Sequence, residues 1–226
     1  MGPMLLTLLL AAAAAAPSPP PGARVVEQVV AVVRNPAGAA PRPITLTRLE
    51  AEARVALVSR GGAEAAFRSL DVEVLRATLD WLLDEMLVAD ESARLRLDAV
   101  DREALEPALR RFRGRFADDD AYRRFLARFE LGEEDVAASL ARTLEVERYL
   151  GTRVGRGVRV GDDEVDAALR ARGAAAPSAG SRDAVRAGLA EARARAQAQE
   201  LVRELRGRAE IRVLDPALRR EPARGS

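Results

Sequence analysis

The chain has 226 residues, 48% hydrophobic and 31% charged, which is enough to bury one respectable core or two small ones and is unlike a disordered composition. Its 36 basic residues, all arginine, are interspersed with 35 acidic ones, so there is no single-sign field for nucleic acid or an anionic membrane. It has no cysteine and no histidine, which excludes thiol nucleophiles, serine–histidine triads, zinc sites of the usual ligand types and histidine pH switches.

The apolar run at 4–16, broken only by Thr7, is shorter than the roughly 20 residues of a membrane-spanning helix and ends in small residues before a proline-rich stretch at 17–23. It is expected to be an export signal over 1–23, cleaved near Ala23, with a retained anchor as the alternative, because the start lacks basic residues and Pro17 disfavours cutting after Ala16. A periplasmic protein without integral membrane association follows from cleavage. Aromatic residues make up only 4%, so the core must come from Leu, Val and Ala, a composition suited to packed helices.

The β-branched run at 25–33 and the segment at 43–46 predict a hairpin across a Pro/Gly-rich loop. Thr47 and Glu50 have the spacing of a capping box for a helix that Gly61 and Gly62 end. From Asp71, the residues Val72, Leu75, Leu79, Leu82, Leu83, Met86 and Leu87 form an apolar stripe at helical spacing, the expected central helix. Asp101 opens the next helix, where Pro107 is expected to tighten or kink the first turns. The acids at 118–120 cap a short helix with Tyr122, Phe125, Leu126 and Phe129, and Gly132 separates it from a longer one through Val136, Leu140, Leu144, Tyr149 and Leu150. A break is expected at 151–161, then a helix from Asp162 to Arg172, an Ala/Ser/Gly linker over 173–181, a long helix capped by Ser181, a strand at 210–214 and a polar tail over 216–226.

The strand around 29–33, the helix Leu75-Arg76-Ala77-Thr78-Leu79-Asp80-Trp81-Leu82-Leu83-Asp84-Glu85-Met86-Leu87, the block 125–136 and its continuation through 144–150 and 160–165 together resemble the N-terminal domain of the SurA family of periplasmic chaperones and parvulin-type prolyl isomerases. The resemblance covers most of the chain after the signal and rests on apolar and charged patterns, not on catalytic letters. It implies a mostly α discontinuous chaperone module, 24–172 plus 182–215, with a small β element in which the last strand pairs with the first. In that family isomerase domains are inserted before the final helix and strand, where this chain has only the linker. A parvulin domain needs on the order of a hundred residues, and the His and Cys typical of its site are absent here.

The expected function is therefore an ATP-independent holding chaperone or assembly factor for unfolded envelope or outer-membrane proteins. An interaction subunit of an envelope complex is the second reading and a prolyl isomerase the third. Phe112, Phe116, Tyr122, Phe125 and Phe129 concentrate most of the aromatics and are the candidate client-binding groove, set against the plainer reading that they close a core. Phe116, beside Gly114 at a helix end, is the one expected to stay outside that core. No catalytic residue, metal or cofactor is expected: the acids at 118–120 lack the Gly and Glu of a calcium loop, and 151–157 lacks the Lys of a phosphate loop. Arg193, Arg195, Arg203, Arg206 and Arg208 lie among Glu191, Glu200 and Glu204 and predict a solvated, salt-bridged face.

Overall fold

Strand β1 (Val29–Arg34) is the middle of a three-stranded antiparallel sheet, with β2 (Arg42–Thr45) on one side and β3 (Glu210–Val213), from the far end of the chain, on the other. The computed structural model describes residues 27–35, 40–95, 100–155, 159–171 and 179–219. The expected export signal, most of the linker and the end of the tail lie outside them. Ala31 faces Val213 and Val33 faces Ile211, so the predicted union of the two chain ends is present. A bulge between Val29 and Ala31 turns Val30 and Ala31, consecutive residues, both into the core.

Among the described residues seven α-helices accompany this sheet, so the fold is mostly α: α1 (Leu46–Gly61), α2 (Val72–Arg94), α3 (Arg102–Arg113), α4 (Asp119–Arg128), α5 (Glu133–Gly155), α6 (Asp162–Ala171) and α7 (Ala179–Arg208). α1 starts directly from β2. Thr45, still extended, accepts from the Arg48 amide at 3.3 Å, and the Leu46 amide bonds the Gln28 carbonyl at 2.7 Å. The cap is therefore Thr45 and not Thr47: the strand ladder takes a first-turn donor and leaves Thr47 inside the helix. Gly62, at φ 82°, ends α1 as expected.

Asp71, Asp101 and Asp118 cap α2, α3 and α4, each accepting from the amide three residues on at 2.8, 2.8 and 2.6 Å. α3 runs as one helix through Pro107. α5 does not break at Gly151. It continues to Gly155 because Tyr149 and Val154 are buried on its core side, and that packing outweighs the roughly 0.5–1 kcal/mol cost of a mid-helix glycine. Ser181 lies within α7, which begins at Ala179. The expected tail also begins with structure: Pro216–Leu218 form a 3-10 turn, Leu218 is buried, and the Ala217 carbonyl accepts from Arg76 at 2.7 Å.

The main core lies between the sheet and α2, where Leu79, Leu82, Leu83, Met86 and Leu87 meet Val30, Val33 and Ile44, closed by Tyr149 of α5 and Leu205 of α7. Each such side chain stabilises the fold by about 1.5–3 kcal/mol through burial. A second core gathers the ends of α1, α3 and α4 against Val136 of α5. A third, small cluster holds α6 to the first half of α7 through Val165, Leu169 and Val185.

Candidate functional site

The five candidate aromatics are brought together, but as the second core. Phe112, Phe116, Tyr122 and Phe125 are buried and Phe129 half-buried, with ring centroids 5.2 Å apart for Phe116 and Phe125 and 5.4 Å for Phe116 and Tyr122. The expectation that Phe116 stays outside the core is corrected. Its amide bonds the Arg113 carbonyl at 3.0 Å in a turn that carries the ring back under α3. Phe129 is covered by the Arg54 guanidinium at 4.3 Å and by Phe67, a residue itself 55% exposed.

Between the first two cores the helices leave a cleft of about 560 Å³. α1 supplies Val55, Ala56, Ser59 and Arg60; α2 supplies Trp81, Asp84, Glu85 and Val88; α5 supplies Leu140, Leu144, Val146 and Leu150 among others. α3 and the turn after it add Ala108, Arg111, Phe112 and Arg115, and α7 adds Val202. Of the five candidate aromatics, Phe112 is the one that reaches this lining. Leu140, Leu144 and Leu150 belong to the predicted apolar stripe of α5, but the gap beside them is not legible in the sequence, because a helix's own periodicity does not show whether its face meets a neighbour. The available signal was the chain's one tryptophan at position 81, beside an α2 stripe already complete.

Under the cleft α1, α2 and α5 are tied by a buried polar network. The Arg142 guanidinium donates to Glu52 and, at 3.1 Å, to Glu85, while Ser139 donates to Glu52 at 2.7 Å and Thr143 to Glu85 at 2.9 Å. Burial pushes the Glu85 carboxyl above its ordinary pKa; Thr143 and Arg142 pull it back only in part, and the neighbouring Glu52 charge adds to the rise. One guanidinium shared by two buried carboxylates suits a rigid scaffold. The network gives no sign of a nucleophile, since both acids are spent on holding helices.

The acids at 118–120 do what their position suggests, with Asp118 as cap and Asp120 paired to Arg123. Among the described residues no group of three or more possible ligands is arranged to hold a metal ion. On α7 the structure divides the arginines. Arg195, Arg203 and Arg208 pair along the helix with Glu191, Glu200 and Glu204, whereas Arg193 reaches Glu164 of α6 and Arg206 bridges Asp80 and Asp84 of α2. Those two clamp α7 to other helices; the Arg206 contacts are part-buried, whereas the Arg193 pair stays exposed to solvent.

Fold and cleft together define a mostly α-helical module whose terminal strands share one small sheet and whose helices leave an apolar cleft open. No model of a known protein family matches the chain, and no curated protein does either. No helix among the described residues is long and apolar enough to cross a membrane.

Proposed function

We propose that the protein is an exported, ATP-independent holding chaperone or assembly factor, which binds unfolded envelope proteins in the cleft between α1, α2, α3 and α5 and has no prolyl isomerase activity. The observation that supports this reading is the cleft itself, of a volume suited to specific binding, walled by Val55, Val88, Leu140 and Leu144 and floored by residues already committed to structure. The resemblance to the SurA-like module points the same way. Binding acts by mass action: each transient complex removes unfolded client from the pool that aggregates.

The test is the aggregation of several unrelated unfolded proteins, an outer-membrane type among them, with the protein at near-stoichiometric concentration. Delay is expected for more than one client and is expected to weaken in Leu144→Arg, which places a charge in the half-buried wall. Capture of one folded partner in fixed stoichiometry, without any delay, overturns the chaperone reading in favour of an interaction subunit. Acceleration of cis/trans exchange in a proline tetrapeptide by protein free of contaminating enzymes overturns the non-enzymatic part.

A further inference from the structure

The near-neutral charge balance of the sequence is broken at the cleft. Arg60 of α1, Arg111 at the end of α3 and Arg115 in the turn that follows it line it together. On the same helix Arg110 is paired with Glu106 at 4.0 Å and Arg113 with Glu133 at 2.6 Å, but Arg111 and Arg115 make no ion pair among the described residues. The Arg60 guanidinium lies over the Trp81 ring at 5.9 Å, a contact that leaves its charge unneutralised. Three acids also line the cleft, yet two of them are committed: Asp84 to Arg206, and Glu85 to Arg142 and Thr143. Exposed Glu147 alone remains to oppose the three arginines.

We propose that the cleft selects an extended apolar polypeptide segment carrying acidic residues beside its apolar stretch. This rests on the chaperone reading of the cleft and names the class of segment it prefers. The apolar side chains lie against Val55, Leu140 and Leu144, while the flanking carboxylates meet the free guanidinium groups of Arg111 and Arg115 at the edge. A polypeptide fits better than a lipid acyl chain because the walls carry hydroxyls that accept hydrogen bonds. Ser59 lines the cleft, and Thr143, which donates its own proton to Glu85, keeps its lone pairs for a peptide N–H.

Fluorescence anisotropy on the full chain tests this with three labelled peptides that share one apolar core and carry acidic, uncharged or basic flanks. The acid-flanked peptide is expected to bind about tenfold more tightly than the uncharged one at low salt, with the ratio shrinking at high salt. In the Arg111→Gln/Arg115→Gln variant that ratio is expected to fall to about one; both side chains are exposed, and an unaltered thermal melt verifies the fold. Equal binding of all three peptides, or preference for the basic one, overturns the charge selection and leaves the chaperone reading standing. Binding of none of them overturns the chaperone reading, and binding of oleate alone assigns the cleft to a lipid and overturns both.

Discussion

Arg142 and Glu85 are joined by an Nε–H···Oε2 hydrogen bond of 3.1 Å at a place where the guanidinium is 14% exposed and the carboxylate 4%. The pair ties α5 to the central helix, and Glu52 of α1 takes the other side of the same guanidinium. Arg48 of α1 completes the surroundings, its pKa lowered by burial and by Arg142. Removing Arg142 leaves two buried carboxylates without their cation, whereas the network as a whole adds little over a well-packed apolar replacement.

Glu85 gives the stability of the protein a definite pH sign. Its folded pKa is raised, chiefly by burial, so the folded state holds the proton more tightly than the unfolded one. Its contribution is fully present below the ordinary glutamate value, about 4.3, and is lost as pH rises through the raised folded value. In urea titrations across that window Glu85→Gln is expected to gain on the parent protein as pH increases and to keep a constant offset above it. Parallel profiles at every pH contradict this.

Phe116 is core. Replacing it with Ser opens a cavity among Phe112, Tyr122 and Phe125 and adds a hydroxyl, so a loss of about 3–5 kcal/mol is expected in urea unfolding. A loss below about 1 kcal/mol places the ring at an open surface instead.

The two halves of α7 are expected to respond differently. Leu205 packs in the main core, so Leu205→Ala should cost about 2–5 kcal/mol of global stability. Val185 belongs to the separate α6–α7 cluster, and Val185→Ala should lower hydrogen-exchange protection in α6 and the start of α7 with little effect on the sheet. Deleting residues 182–226 removes Leu205, β3 and Leu218 together and should abolish cooperative unfolding. An unchanged melt of the truncated chain shows that the terminal strands do not hold the fold.

Much of the fold is legible from local chemistry. The α2 stripe, the caps at Asp71, Asp101 and Asp118 and the stop at Gly62 depend on residues within a turn or two of one another, so their spacing is sufficient. Where two local choices were nearly equal, the surroundings decided. Thr45 and Thr47 are both able to cap α1, and the ladder to Gln28 selected Thr45; Gly151 is able to end α5, and the burial of Val154 carried the helix past it.

By itself the sequence determined the class of the molecule: helices built on Leu, Val and Ala, terminal strands short enough to need each other, and no cysteine or histidine for the usual site chemistries. The placement of the candidate site was decided by tertiary structure alone. Phe116 reads as exposed beside Gly114 and is buried, while Leu144 reads as core and lines a cleft. A helix's own periodicity says which side chains share a face. Whether that face meets a neighbour or a gap depends on how five helix axes cross, and no single segment encodes that distance.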